Sequence, residues 1–432
     1  MKLYRSAEVL ARFFVANALV IAGALFILAS ANVKWINFPF SRDVTGVELP
    51  LLRGLPPEPH LQLLSYGVVA IVALGVGLLG QSMSRLVSTL TAGLLLILCT
   101  LVPLQVSFQQ PATLYRLVAE ATELSPIGTF TKDYQPLNRG RDADVPRRLS
   151  SLGLNTARSR LSTGVSFLAP GWYMFTLGAF LYTAYAIART NRARTRSLVT
   201  FAAIPVVVIA LSFVRPLIGE WFYYHAIAAQ AQGNNTKALA DYRRAMRADR
   251  WYSEELAVYA MIGDLAGDFG DSPERSIYKG DQLREAGQYE AAAFAFERAT
   301  LAPGRLGRVA RRAVAQTLFE YGIVLYRAGG IGAAVTNWER ALSVDPAMTY
   351  VLPYLAQGNF DLSRYQAALD TLDTITRKTS HNTLLANAYS LAGDCYAKLG
   401  QDADARRYYR LSLKTDRMDN HWALTGLVGN TP

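Results

Sequence analysis

Five uncharged apolar stretches in the first half of the chain constrain its fold more than any other feature. Each has 17 to 24 residues, and none contains Asp, Glu, Lys, Arg or His. A helix needs about 20 such residues to cross the hydrocarbon core of a bilayer. We therefore expect residues 1–218 to form a membrane domain with about five transmembrane helices. The stretches are Phe13–Ser30, Leu61–Gly80, Leu86–Val106, Gly164–Ile187 and Leu198–Val214.

The positions of basic residues predict the direction in which these helices cross the membrane. Short loops that are rich in Lys and Arg stay in the cytoplasm. With five crossings, the N-terminus is expected in the cytoplasm and everything after the fifth stretch in the periplasm of a bacterial inner membrane. The basic residues are Lys2, Arg5 and Arg12 before the first stretch, Arg85 between the second and third, and Arg189, Arg192, Arg194 and Arg196 in the fourth connection.

Two features leave alternatives to this topology open. The connection over residues 107–163 is also basic although it is placed outside, but long loops follow the charge rule less strictly than short ones. The sequence Ala29-Ser30-Ala31 resembles a cleavage site, so the first stretch is either a removed secretory signal or an uncleaved signal anchor. Its long apolar run favours the anchor.

Charge separates the chain into two halves. Residues 1–218 contain 20 Lys and Arg against 9 Asp and Glu, whereas residues 219–432 contain 24 of each. The whole excess of +11 thus lies beside the apolar stretches, where arginines meet anionic lipid headgroups. Membrane lipid is therefore an expected partner. Nucleic acid is not, because a basic patch on a soluble face is absent from this distribution.

From Gly219 onward, small and large residues recur on a period close to 34. The clearest copy runs from Ala315 to Met348, with Gly322 on a first helix, Gly329-Gly330 at a turn and Trp338 on a second helix. Small residues at contact points let two antiparallel helices approach, and large residues fill the space between them. Two further copies contain Gly280 with Phe296 and Gly393 with Tyr409, and degenerate copies begin at Gly219 and Thr349.

Two segments depart from the repeat. Residues 253–272 do not complete a copy, because three glycines interrupt the pattern, and one remaining helix is expected there. The segment with Trp422, Leu424 and Leu427 predicts a helix that caps the last pair. In the long loop, Leu114 and Val118 belong to a helical spacing that predicts an amphipathic helix lying either on the membrane or on the repeat domain.

The recurring pattern resembles the tetratricopeptide repeat (TPR) family. The resemblance covers about half of the chain and does not include residues 1–218. It implies an α-solenoid of TPR-like helix pairs over residues 219–432. The expected fold class is therefore all-α, a multispan transmembrane helical domain followed by such a solenoid. TPR arrays typically bind peptides or proteins in a groove lined by the first helices, so the resemblance implies recognition of protein partners.

The resemblance also implies which residues face the groove. Tyr326, Arg327 and Tyr350 are the favoured contacts, because aromatic and arginine side chains dominate binding energy at protein interfaces. The alternative for each position is an ordinary packed or exposed residue. The full set of candidates is Phe319, Ile323, Tyr326, Arg327, Tyr350, Gln357, Phe360, Asn387, Asp394 and Lys398.

The sequence contains no recognisable catalytic or metal-binding motif. Phosphate-binding loops, dinucleotide fingerprints and nucleophile elbows are absent. Cys99 and Cys395 lie in different halves and predict no disulfide. The four histidines, His60, His225, His381 and His421, are far apart and have no cysteine or carboxylate at metal-binding spacing. We therefore expect no metal, no cofactor and no enzymatic activity. The absence of ionisable residues from the apolar stretches also disfavours a transporter.

These patterns predict a membrane-anchored scaffold or adaptor. Its repeat domain would recruit or organise protein partners, such as subunits of a membrane-associated complex, on the extracytoplasmic face. The alternative is an enzyme or accessory subunit of envelope polysaccharide or glycan assembly, which would use a carboxylate in an outside loop. The available carboxylates are Asp43, Glu48, Glu58, Glu120, Glu123, Asp133, Asp142 and Asp144.

Overall fold

The structure of the protein, a computed structural model, divides into two compact units. It describes residues 18–53, 60–80, 85–128, 154, 156–189, 194–267, 272–416, 423–424 and 426–427. As far as residues are described, the first unit comprises Met1–Asn37, Asp43–Leu114 and Asn155–Ile218, and the second comprises Phe38–Arg42, Tyr115–Leu154 and Gly219–Pro432. Two segments from the first half of the chain therefore belong to the second unit.

The first unit consists mainly of helices. A π-helical turn, Gln105–Gln109, follows α3, and the later residues of α4 and α7 belong to the second unit. Helices α1 and α6 approach closely, because a Cβ atom at Gly23 would lie 2.9 Å from the carbonyl oxygen of Gly178. The helices are α1 (Ala18–Ser30), α2 (Tyr66–Leu79), α3 (Arg85–Leu104), α4 (Pro111–Gly128), α5 (Ala157–Ser166), α6 (Pro170–Arg189) and α7 (Arg194–Ala231).

A small antiparallel pair of strands, β1 (Lys34–Ile36) and β2 (Val44–Thr45), interrupts this helical unit. Trp35 on β1 is completely buried, and its ring stacks on Phe175 with 4.9 Å between the ring centroids. The indole Nε1 donates a hydrogen bond of 2.8 Å to the carbonyl oxygen of Ser30. The strand pair therefore supplies part of the core of the unit.

Two predicted transmembrane stretches differ in extent from the helices that contain them. The stretch Gly164–Ile187 is divided, because the Ala169 N–H donates to the Trp35 carbonyl at 2.9 Å and Pro170 begins a new helix. Proline favours this first helical position, where its missing N–H has no partner to lose. The stretch expected to end at Val214 continues instead within α7 to Ala231.

Two segments of the described structure are long and apolar enough to cross a membrane. They are Leu86–Gln109 and Phe201–Ala231, and the most apolar 18 residues of each have a mean hydropathy of 2.2. In the most apolar part of each segment, half of the residues of the first are buried within the protein, whereas only 11% of those of the second are, so the second presents most of its apolar side chains outward. The described parts of α1 and α2 are shorter apolar helices.

The second unit is an array of helices in which each packs against the next. A 3-10 turn, Thr349–Val351, leads into α14. The short turns and the packing of consecutive helices make antiparallel pairs, as the repeat predicted. The helices are α8 (Asn235–Ala248), α9 (Leu256–Leu265), α10 (Pro273–Glu285), α11 (Tyr289–Thr300), α12 (Arg305–Arg327), α13 (Ile331–Val344), α14 (Leu352–Asp361), α15 (Tyr365–Lys378), α16 (Asn382–Lys398) and α17 (Asp402–Thr415).

Three helix pairs share one contact, in which a glycine on the first helix lies against an aromatic ring on the second helix. A Cβ atom on these glycines would come within 2.7, 2.3 and 2.5 Å of the ring, so no other residue fits without displacement. The ring is completely or almost completely buried in each case. This contact explains why small and large residues recur together. The pairs are Gly280 with Phe296, Gly322 with Trp338, and Gly393 with Tyr409.

The turns between paired helices use a left-handed residue. Gly329 has φ of 84°, and its N–H donates to the carbonyl oxygen of Tyr326 at 2.9 Å. Ser363 takes this conformation between α14 and α15, with φ of 58°. Its N–H donates to the carbonyl oxygen of Phe360, as that of Gly329 does to Tyr326. The turn geometry is therefore kept in a copy that lacks the glycine.

The structure also corrects and extends the predicted repeat boundaries. The clearest copy was expected to begin near Ala315, but α12 begins at Arg305 because Val309 and Ala310 are buried and extend its packed face. Residues 253–272 retain one helix, α9, as predicted. Among the described residues after α17, Ala423 is buried against Tyr409, whereas Trp422 lies outside the described residues.

Candidate partner-binding site

An open pocket in the second unit lies between α14, α15 and α16. Helices α14 and α16 are the first helices of their pairs, and α15 connects them. Small residues at the helix contacts, such as Ala356 and Ala388, leave room for the pocket. Its wall is mainly apolar and therefore fits an apolar group. The lining residues are Pro353, Ala356, Gln357, Leu372, Ile375, Leu384, Asn387, Ala388 and Leu391.

Two side-chain amides give this apolar pocket its hydrogen-bonding groups, and both were predicted groove residues. Gln357 is buried, and its Nε2 donates to Asp361 Oδ1 at 2.9 Å. The Nδ2 atom of Asn387 is buried without a hydrogen-bond partner. A buried donor without a partner costs about 1–3 kcal/mol. An acceptor on a bound molecule, such as a peptide carbonyl, would remove that penalty.

Tyr326 is connected to the pocket through Asp361. The Tyr326 hydroxyl donates a short hydrogen bond to Asp361 Oδ2, while Gln357 donates to the other carboxylate oxygen. Burial, and then the hydrogen bond to Asp361, raise the pKa of Tyr326, so the phenol stays protonated at physiological pH. The structure thus brings two predicted residues together through a carboxylate that the sequence pattern did not identify. Arg327, the next predicted residue, is exposed.

Three other candidates lie in the core of the array. Phe319, Ile323 and Tyr350 are at most 5% exposed and belong to one buried cluster. The Tyr350 hydroxyl donates to Gln316 Oε1 at 2.9 Å, and its ring packs edge-on against Phe319 with 5.5 Å between centroids. An aromatic residue at a groove position therefore serves helix packing here, which the sequence pattern alone does not distinguish from ligand contact.

The remaining candidates are not part of the pocket wall. Phe360 packs edge-on against Tyr365, with 5.6 Å between the ring centroids. Asp394 accepts a hydrogen bond of 2.5 Å from the Tyr409 hydroxyl and so joins the two helices of its pair. Lys398 is exposed near the end of α16. Asp394 is therefore explained by contacts within the array.

The part of α4 from Tyr115 onward packs on the array, which is one of the two positions expected for the amphipathic helix. The ring of Tyr115 stacks on Trp251 with 4.5 Å between centroids, and the Arg312 guanidinium lies 5.5 Å from the centre of the Tyr115 ring. Ala119 is buried in the same cluster as Phe319. The leucine spacing predicted the helix, but the anchoring tyrosine gave no recognisable signal.

Buried acidic residues lie beside this contact, immediately before α9. Glu254 is 6% exposed and pairs with Arg312 at 2.9 Å, with Arg250 at 3.5 Å and with Arg308 at 3.8 Å. Burial raises the pKa of the neighbouring Glu255 to about 7, and the nearby Arg312 opposes this shift only in part. Glu255 therefore titrates near neutral pH.

Within the described ranges, no group of three or more His, Cys, Asp or Glu residues is arranged to hold a metal ion. Cys99 and Cys395 are both buried and free. The pocket, the amide pair and the Tyr326–Asp361 hydrogen bond thus provide an apolar site with hydrogen-bonding groups.

Three solved structures are among those similar to this chain, at low sequence identity. MamA protein is 12% identical, with 46% of this chain and 92% of that chain covered at a TM-score of 0.24. YrrB, described as a TPR protein with an unusual peptide-binding site, is 18% identical, with 47% of this chain and 88% of that chain covered at a TM-score of 0.25. Pseudomonas aeruginosa pilF is 14% identical, with coverages of 48% and 96% and a TM-score of 0.28. No protein-family model and no curated protein matches the chain.

Proposed function

We propose that the protein is a membrane-anchored TPR-like scaffold that recruits protein partners and has no enzymatic activity of its own. Residues 1–218 would form the membrane domain and residues 219–432 the recruiting domain. The observation that carries recruitment is the pocket between α14 and α16, where apolar walls surround the unpaired Nδ2 of Asn387. Its ligand would be an extended segment of a partner protein, with an apolar side chain in the pocket and a backbone carbonyl at Asn387.

Membrane insertion is supported by the outward-facing apolar surface of α7. Val206, Leu211 and Leu217 on this helix are each more than half exposed. Exposed contiguous apolar surface is unfavourable in water and favourable in lipid. We propose insertion in a bacterial inner membrane with the N-terminus in the cytoplasm and the array in the periplasm, because this arrangement satisfies the charge pattern of the short loops. Subunits of a membrane-associated complex are the proposed partners.

Cysteine labelling with a membrane-impermeant maleimide tests this topology in living cells. Lys398→Cys, on the exposed end of α16, is expected to react in cells whose inner membrane is intact. Arg192→Cys, in the fourth connection, is expected to react only after that membrane is broken. The native Cys99 and Cys395 are buried and provide the unlabelled background. Reaction of Arg192→Cys in intact cells together with protection of Lys398→Cys would reverse the proposed orientation.

Photo-crosslinking tests recruitment by the pocket. A photoreactive phenylalanine analogue replaces Tyr326, whose hydroxyl is linked to the pocket through Asp361, and a control analogue replaces the exposed Phe294 on α11. We expect a discrete protein adduct from position 326 and none from 294. Asn387→Ala should reduce the yield of that adduct about tenfold, because loss of one hydrogen bond to a buried group is worth about 1–3 kcal/mol.

Stability provides the control for Asn387→Ala. The substitution removes a buried donor that has no partner in the protein, so the unfolding midpoint of the variant should equal or exceed that of the wild type. An adduct that persists unchanged in Asn387→Ala, or that forms equally from position 294, would refute recruitment by this pocket.

A role in envelope polysaccharide or glycan assembly is the second candidate function, and the described carboxylates give it little support. Glu48 accepts hydrogen bonds from the Thr45 N–H and hydroxyl, and Asp43 lies 3.3 Å from the Lys34 ammonium. Glu120 accepts hydrogen bonds from the backbone N–H groups of Phe40 and Ser41. The other predicted carboxylates, Glu58, Glu123, Asp133, Asp142 and Asp144, lie outside the described residues or side chains.

A further inference from the structure

A short segment of the chain, Phe38–Arg42, belongs to the second unit although the residues on both sides of it belong to the first. Phe40 is completely buried in the core cluster of the array. Ser41 is 5% exposed, and its hydroxyl lies 3.3 Å from the hydroxyl of Thr349, just before α14. We refer to Phe38–Arg42 as the internal segment.

Glu120 on α4 holds the backbone of the internal segment. Its side chain is completely buried, and Oε2 accepts the N–H groups of Phe40 at 3.1 Å and Ser41 at 3.0 Å. The other oxygen, Oε1, accepts the Ser41 hydroxyl and the Nε of Arg116, the latter at 2.9 Å. A buried carboxylate is stable only when it is paired and hydrogen-bonded, and these four donors meet that requirement.

Two side chains of the internal segment also contact Arg116 on α4. The Arg116 guanidinium donates to the Ser41 oxygen at 2.5 Å and lies 5.2 Å from the centre of the Phe38 ring. The surface therefore recognises three features of a bent peptide: two consecutive backbone N–H groups that share one carboxylate oxygen, a hydroxyl side chain and an aromatic side chain that is buried in a core. These are the contacts that a peptide-binding site makes with a separate ligand.

We infer that Glu120, Arg116 and Thr349 form a peptide-binding site that is occupied by the protein's own internal segment and accepts the same kind of segment from a partner. The fitting ligand is a peptide that bends at a phenylalanine followed by serine or threonine, so that both N–H groups reach one carboxylate oxygen. The site shares no residue with the pocket at Asn387. It therefore does not depend on recruitment by that pocket, and either proposal can fail without the other.

The test uses the full chain in detergent micelles and two substitutions. Phe40→Ala removes the buried anchor of the internal segment but leaves Glu120 and Arg116 in place. Glu120→Gln keeps the size of the side chain but presents an NH₂ group to backbone donors. Amide hydrogen exchange at residues 40 and 41 should rise at least tenfold in both variants, whereas exchange in α16 and α17 should stay unchanged.

A labelled synthetic peptide covering residues 36–45 then tests exchangeability. We expect it to bind the Phe40→Ala chain with a Kd at least tenfold lower than its Kd for the wild type, whose site is occupied. It should not bind Glu120→Gln, and a peptide with alanine at position 40 should not bind any of the three chains.

Several results would overturn the inference. Unchanged amide exchange in both variants would show that these contacts do not hold the segment. Peptide binding that is no tighter to Phe40→Ala than to the wild type would show that the segment is a fixed part of the fold. Equal binding to Phe40→Ala and Glu120→Gln would show that Glu120 does not recognise the peptide backbone. Loss of protection throughout α16 and α17 in one variant leaves the other variant to decide.

Discussion

Replacing Phe296 with alanine is expected to lower the free energy of unfolding of the array by about 3–5 kcal/mol, the range for removal of a buried phenylalanine ring. The ring is completely buried on α11 and lies directly against Gly280 of α10, where a Cβ atom would be only 2.7 Å from the ring. Because residue 280 has no side chain that can move into the space, the cavity should stay largely unfilled. The loss is therefore expected near the upper end of this range.

Phe294→Ala is the matched control, since Phe294 lies two residues earlier on the same helix and is 67% exposed. Alanine favours helix more than phenylalanine does, so this variant should change the unfolding free energy by less than about 0.5 kcal/mol. Urea denaturation of the purified full chain, followed by helical circular dichroism, measures both. Equal midpoints for the two variants would contradict the packing of α11 on α10.

The contacts of Gly280 and Phe296 also show why much of the array could be predicted from sequence. Close helix contacts tolerate few residue types, so the same small and large residues recur wherever the contact recurs. Ser363 takes the left-handed turn position that Gly287, Gly329 and Gly400 hold in other copies. The buried Ser412 hydroxyl donates to the Ala386 carbonyl at 2.6 Å where two other copies have alanine. Such substitutions weaken the sequence pattern while the packing is retained.

The candidate site was less predictable, because groove contact and core packing favour the same residues. Gln357, Asn387 and Tyr326 do lie in or beside the pocket, whereas Phe319 and Tyr350 are buried. The internal segment was missed because its contacts join residues about 80 positions apart, such as Ser41 and Glu120. No local spacing encodes a contact of that kind, so it becomes visible only in the folded chain.

Glu255 destabilises the folded array at alkaline pH. It occupies the N-cap position of α9 but makes no capping hydrogen bond with its side chain, and it is only 6% exposed. Burial raises its pKa from 4.5 to about 7, while Arg312 provides the opposing charge. Ionisation is therefore less favourable in the folded chain than in the unfolded chain. The resulting penalty is absent well below pH 4.5 and complete above pH 7.

Glu255→Gln should consequently stabilise the protein by about 3 kcal/mol at pH 8.5, because each unit of pKa shift corresponds to about 1.4 kcal/mol. At pH 5 the gain should fall below about 1 kcal/mol, since the folded carboxyl is then protonated. Urea midpoints at the two pH values measure the difference. Glu339→Gln, a substitution of an exposed carboxylate on α13, should stay within about 0.5 kcal/mol of the wild type at both. A gain from Glu255→Gln that is the same at pH 5 and pH 8.5 would show that ionisation of Glu255 is not its cause, because a packing effect does not follow the titration of a carboxyl group.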